Sequence, residues 1–199
     1  MKIFQSLHVP PKLLTDPGFS RVLELKSQAD QAQLANWLYD DLHKWTWWLN
    51  LIAVILPIII LWKVMDRKRF LQILVFGFLT AMVSTFFNTL GIALMLWDYP
   101  DRFLPISPRL FPVDFVALPF LYMLVYQYYL NWKDFVIANT ILAAVLSFVL
   151  EPVLVWLNLY ELITWRYYYS FPIYIVMPIA ARWLTSELVS QDLNYRIKV

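Results

Sequence analysis

The chain has 199 residues, no cysteine, three glycines and a formal charge of +2; 61% of it is hydrophobic and only 15% charged. A soluble domain carries about 25% charged residues and leaves much of its surface in water. This composition therefore excludes an ordinary water-soluble globule, and the missing thiols exclude disulfides, thiolate metal sites and cysteine nucleophiles.

Residues 1–44 form the one extended polar stretch and carry no signal-peptide-like apolar run. Asp16-Pro17 reads as a helix start, with Asp as N-cap and Pro at the first helical position. From there to His43, Phe19, Val22, Leu23, Leu34, Trp37, Leu38 and Leu42 alternate with Glu24, Lys26, Asp30 and Asp41. The pattern predicts an N-terminal amphipathic helix, lying on a membrane surface or on the rest of the protein.

A hydrocarbon core of about 30 Å needs about 20 apolar residues per helix. Residues 45–188 supply five such stretches, Trp45–Trp62, Phe70–Trp97, Val113–Leu130, Phe135–Leu157 and Tyr168–Leu188, and a polar tail follows at 189–199. The expected fold is all-α: an integral membrane bundle of about five transmembrane helices. Lys63, Arg67, Lys68 and Arg69 make the densest basic cluster. The positive-inside rule puts that loop in the cytoplasm, which leaves the N-terminus outside and the C-terminus cytoplasmic. Nine of the ten tryptophans, Trp97 and Trp165 among them, fall near predicted span ends and read as an aromatic belt. The loop from Asp98 to Pro112 holds four prolines with Arg102 and Arg109, and reads as a stiff connector or a cap on the outer face.

Familiar chemical signatures are missing. There is no glycine-rich phosphate loop, and His8 and His43 stand alone, so no cofactor, metal site or nucleic-acid partner is expected. The informative pattern lies inside the spans. Gly77, Ala81, Ser84, Asn88 and Gly91 recur at steps of four and three, as do Thr140, Ala144, Ser147 and Glu151. Each set makes a seam of small or polar side chains where helices approach and hydrogen-bond. Glu151 lies well inside its span, where a carboxyl is costly and points by default to function. Its possible partners are Asn88, Asp114 at the start of the third span, Tyr174 in the fifth, and Arg109 and Arg166 from the loops. Helix capping offers a plain account of Asp114, and a Glu151–Asn88 hydrogen bond holding the bundle together offers one of Glu151.

The stretches Phe111-Pro112-Val113-Asp114-Phe115, Tyr126-Gln127-Tyr128, Glu151-Pro152, Leu159-Tyr160, Trp165 and Ser170-Phe171-Pro172-Ile173-Tyr174 resemble a family of small multipass membrane proteins from spore-forming bacteria of the bacillus and clostridium type. The resemblance covers roughly residues 45–185. It implies a bacterial plasma membrane and supplies no mechanism.

Two functional readings stay open. The first is a non-catalytic membrane component or accessory subunit, with the bilayer and other membrane subunits as partners. The second is an enzyme or binder for a lipid-like or isoprenoid-like molecule, built on a pocket of Asn88, Asp114, Glu151 and Tyr174. The absence of catalytic signatures favours the first.

Overall fold

A computed structural model of the protein describes residues 18–105 and 111–198, with side chains through Gln191. The chain is all-α apart from one two-residue strand pair. The helices are α1 (Gly18–Tyr39), α2 (Trp45–Val64), α3 (Phe70–Ala93), α4 (Leu118–Tyr128), α5 (Trp132–Val145), α6 (Glu151–Trp156) and α7 (Tyr167–Lys198). A wide π-helical turn, Pro112–Ala117, leads into α4, and another, Leu146–Leu150, joins α5 to α6. Strands β1 (Trp97–Asp98) and β2 (Glu161–Leu162) pair antiparallel.

Among the described residues, three helical stretches are long and apolar enough to cross a membrane: Trp45–Val64, Arg67–Ala93 and Trp132–Trp156. Only 6% of the first is buried within the protein. It exposes Ile52, Ile55, Leu56, Ile58, Ile59 and Trp62 as one continuous apolar surface, which water would not tolerate. α4 and its leading turn are shorter, at 11 and 6 residues. The predicted polar tail at 189–199 continues α7 as helix to Lys198. The predicted second span closes earlier, at Ala93, because Met95 takes a left-handed conformation (φ 55°) and sends Trp97 into β1.

α1 buries none of its residues, and Phe19, Val22, Leu23, Leu34 and Leu38 stay exposed. Its proposed start at Asp16-Pro17 lies outside the described residues. α1 ends at Tyr39, and a separate short turn, Asp41–His43, leads to α2.

The helices pack on a shared core of Ile73, Phe76, Leu118, Tyr122, Met123, Tyr126, Phe135, Leu146 and Met177. Phe76 stacks on Tyr126 at 4.2 Å between ring centroids. Prolines shape the helices around this core. A proline cannot donate to the carbonyl four residues back, and its ring pushes that carbonyl away. Immediately before Pro119, Leu118 N–H reaches back five residues to Val113 O; immediately before Pro152, Glu151 N–H does the same to Leu146 O. The π-helical turns thus sit where the two prolines break the regular ladder. In α7, Pro178 frees the Tyr174 carbonyl, and the Tyr122 hydroxyl donates to it at 3.0 Å. Asn139 Nδ2 donates to Ile175 O at 3.1 Å one residue further on.

The two ends of the bundle are locked differently. At the lower end, Gln127 accepts from Asp66 N–H (2.9 Å), donates to Val64 O (2.8 Å) and receives Arg69 Nη2 on its own carbonyl (2.8 Å). Arg182 Nη1 donates to Tyr129 O at 2.9 Å and Nη2 donates to Leu130 O, between the rings of Trp132 and Phe135. These carbonyls lie immediately beyond the C-terminus of α4, where a cation is favoured. At the upper end, Trp37 and Trp47 both donate to Phe103 O (3.1 and 3.0 Å), and Asp101 accepts from Lys44 Nζ (2.8 Å) and Thr46 Oγ1 (2.7 Å). The loop after β1 is thereby clasped by the α1–α2 junction. The Asp101 and Asp40 carboxylates raise the Lys44 ammonium above its ordinary range.

Two outcomes follow. Tyr122→Phe keeps the ring but strands the Tyr174 carbonyl, and should lower stability by about 0.5–1.7 kcal/mol in a detergent-unfolding titration. Lys44→Met should speed hydrogen exchange of the amides at 98–105. In the unaltered protein, a pKa raised on folding means the Lys44 contribution is whole below the free lysine value of about 10.4. Alkaline pH should therefore release that loop only above about 10.4.

Candidate functional site: a closed-end cavity with two carboxyls

Beneath the strand pair, α3, α4, α6 and α7 enclose a cavity of about 280 Å³. Its floor and walls are mostly apolar: Leu118, Leu146, Leu154, Ile173, Met177 and their neighbours. Asn88, Asp114, Glu151 and Tyr174, four of the six residues singled out from sequence, line it together.

Each reaches the cavity for a local reason. The α3 seam is buried along its length, including Gly77, Ala81, Ser84, Asn88 and Gly91, so Ser84 and Asn88 face inward. Asp114 lies inside the π-helical turn before α4 and Glu151 immediately after the one between α5 and α6. The expected seam on the fourth span is redrawn by that turn. Thr140 and Ala144 are half-buried, whereas the buried positions are Phe135, Asn139, Ala143, Leu146, Ser147 and Glu151. Widening the helix by one residue moves the buried stripe, which a 3.6-residue period cannot anticipate.

The polar contacts are unevenly distributed. Asn88 Oδ1 accepts from Trp97 Nε1 (2.9 Å) and Tyr99 OH (3.0 Å), and its side chain lies beside the Asp114 carboxyl. Ser84 Oγ donates to Asp114 Oδ1 at 3.3 Å. Ser170, which accepts from Trp165 Nε1 at 2.9 Å, lies with Tyr174 beside the Glu151 carboxyl. Asp114 Oδ2 and Glu151 Oε2 are buried without any hydrogen-bond donor. Asp114 is 9% exposed and Glu151 5%.

These contacts correct both plain accounts. Asp114 makes no capping hydrogen bond to its own helix; it reaches across to α3. The Asn88 carbonyl oxygen is taken by Trp97 and Tyr99, and its side chain lies beside the Asp114 carboxyl rather than making a hydrogen bond to Glu151. Arg166 is exposed and does not line the cavity, and Arg109 lies outside the described residues. Among the described residues no Lys, Arg or His lines the cavity.

Four lining residues have no sequence signal pointing to a site. Trp97 and Trp165 form part of the cavity wall, with ring centroids 4.9 Å apart. Tyr99 and Tyr160 stack at 5.3 Å and are both buried. They meet because β1 pairs with β2 and because Leu96 O accepts from the amides of Ile163, Thr164 and Trp165. Asn158, at φ 57°, ends α6 as Met95 ends α3, and so turns the second loop toward the first. Burial, and next the Asp114 carboxyl, hold the Tyr99 hydroxyl well above its ordinary value; burial and then Glu151 raise Tyr160 likewise. Both remain protonated donors. Tyr99 also lines a second, polar cavity of about 380 Å³ with Gln33, Asn36, Asp41, Asp98, Arg102 and Glu161. Tyr99 is thus the wall between a polar vestibule and the apolar chamber.

No protein-family model, no curated protein and no solved structure matches this chain. The reading of the site rests on its own geometry.

The two interior glycines of α3 should answer differently to one methyl group. A Cβ at Gly91 would overlap the Trp97 ring, which is rigid and bonded to Asn88; a Cβ at Gly77 would meet the flexible Met123 thioether. Gly91→Ala should cost about 1–3 kcal/mol, with Gly77→Ala costing less, in thermal unfolding of the detergent-solubilised protein.

Proposed function

We propose that the protein is a five-span, non-catalytic membrane component that holds a lipid-like or isoprenoid-like molecule in the chamber between α3, α4, α6 and α7. In this reading α2, α3, α4, α5–α6 and α7 all cross the bilayer, and α1 lies along its surface. The basic turn at Arg67–Arg69 faces the cytoplasm, which puts the cavity in the outer half. The resemblance to membrane proteins of spore-forming bacteria supports a bacterial plasma membrane as the setting.

The observation that carries the proposal is the chamber itself: about 280 Å³ of mostly apolar space with two buried carboxyls on its wall, each with an oxygen lacking a donor. Concave, largely apolar space with a few convergent polar groups is the usual form of a small-molecule site. Interhelical glue accounts for Asp114 Oδ1, which accepts from Ser84 of α3, but not for the second oxygen of each carboxyl, which has no donor. An enzyme would use the same pair, with Glu151 as general acid and Asp114 as its partner. The chemical state of the recovered ligand separates the two.

Native mass spectrometry of the protein released from membranes in mild detergent should show a one-to-one small-molecule adduct. Leu154→Trp, which fills the chamber, should abolish it. A wild-type protein without any adduct, or an adduct indifferent to Leu154→Trp, would overturn the proposal.

A further inference from the structure

The chamber's hydrogen-bond inventory is lopsided. Four of its donors are committed: Trp97 Nε1 and Tyr99 OH to Asn88, Trp165 Nε1 to Ser170, and Ser84 Oγ to Asp114. Its unfilled positions are both acceptors, Asp114 Oδ2 and Glu151 Oε2, each on a side chain more than nine-tenths buried. Among the described residues no basic side chain lines the chamber to supply a counter-charge. A buried carboxylate without a partner is strongly disfavoured, so whatever fills this space gains most by bringing donors and positive charge together.

That inventory discriminates among ligand chemistries. A phosphate or carboxylate headgroup would face two carboxyls and no cation. A neutral alcohol brings one donor and no charge. A metal ion would find two carboxyls in an otherwise apolar shell, and no group of three His, Cys, Asp or Glu among the described residues could hold one. A quaternary ammonium brings charge without N–H donors. An alkylammonium brings both. The stacked pair Tyr99–Tyr160 and the pair Trp97–Trp165 add aromatic surfaces, which attract cations. The volume is about twice that of a cavity of ~150 Å³ that takes benzene, enough for an ammonium with a medium-length hydrocarbon body.

We propose that the chamber selects a protonated primary or secondary amine on an apolar body, its N–H bonds donated to Asp114 Oδ2 and Glu151 Oε2 and its hydrocarbon against the leucines of α4–α6. The inference rests on the ligand-binding reading of the chamber and deepens it by naming the polar group that is recognised. The single ammonium charge offsets one carboxylate while the other carboxyl keeps its proton, and no covalent step is involved.

The test uses the purified full chain in a nonionic detergent at pH 7. Binding of n-octylammonium, octan-1-ol and octyltrimethylammonium is measured by calorimetric titration. Octylammonium should bind saturably at one site, on the order of tenfold more tightly than either of the others. Asp114→Asn and Glu151→Gln should each weaken octylammonium by a similar factor and leave octanol unchanged. Because the three-ligand comparison needs only the unaltered protein, it decides the question even where a variant fails to fold. Octanol binding as tightly as octylammonium overturns the amine inference and leaves the apolar-ligand reading standing. Octyltrimethylammonium binding more tightly overturns the role given to the N–H donors. Absence of binding by all three overturns this inference, while the native adduct test separately decides the broader proposal.

Discussion

Pro119, Pro152 and Pro178 each delete an amide donor from a helix surrounded by hydrocarbon side chains, and much of the architecture answers that deletion. Where water is excluded, a freed carbonyl must find a donor within the protein. Ahead of Pro119 and Pro152 the chain widens to i→i−5 hydrogen bonds from Leu118 and Glu151. At Pro178 a neighbouring helix supplies the donor through Tyr122. The same adjustments decide where the acidic residues go. Asp114 is carried inside one wide turn and Glu151 stands directly after the other, so both carboxyls swing toward α3 and α7 rather than toward lipid. Local backbone accommodation of proline is thus what builds the polar wall of the chamber.

Around that wall the protein divides its labour between its ends. The lower end is closed by charge-assisted hydrogen bonds onto helix termini, Arg69 onto Gln127 O and Arg182 onto Tyr129 O and Leu130 O. Those contacts tie α3, α4, α5 and α7 together. The upper end is made of loops: the β1–β2 bridge, the Leu96 carbonyl with its three amide donors, and the clasp of Lys44, Thr46 and Asp101. A rigid base and a loop-built top place the one substantial change of polarity, from vestibule to chamber, at Tyr99. Its hydroxyl is held by Asn88 and its ring by Tyr160.

Much of this was legible in the amino-acid order. The apolar excess and the scarcity of charge imposed helices whose surfaces avoid water, and the spacing of Gly77, Ala81, Ser84, Asn88 and Gly91 marked the buried face of α3 correctly. Side chains on a regular helix repeat every 3.6 residues, so a seam shows in one dimension. Glu151 and Asp114 stood out because carboxyls are rare and costly in such surroundings. The same logic failed where regularity failed. The π-helical turn at Leu146–Leu150 displaced the buried stripe of the fourth apolar stretch and brought Asn139, unmarked in sequence, fully inside.

What only the tertiary structure decided is which distant residues share the chamber. Trp97 and Trp165 carry the same local signature as the tryptophans of an interfacial belt, and Tyr99 and Tyr160 sit in loops without periodicity. Their meeting depends on two helix ends, at Met95 and Asn158, that turn two loops some sixty residues apart into one strand pair. Arg166, equally plausible as a partner for Glu151 by position along the chain, ends up exposed. Local sequence determines which segments are helical and which faces are buried, because those are short-range properties of the backbone and its apolar pattern. Which donors reach which acceptors across the bundle is a long-range property, and only the folded chain resolves it, down to the two carboxylate oxygens left without a donor.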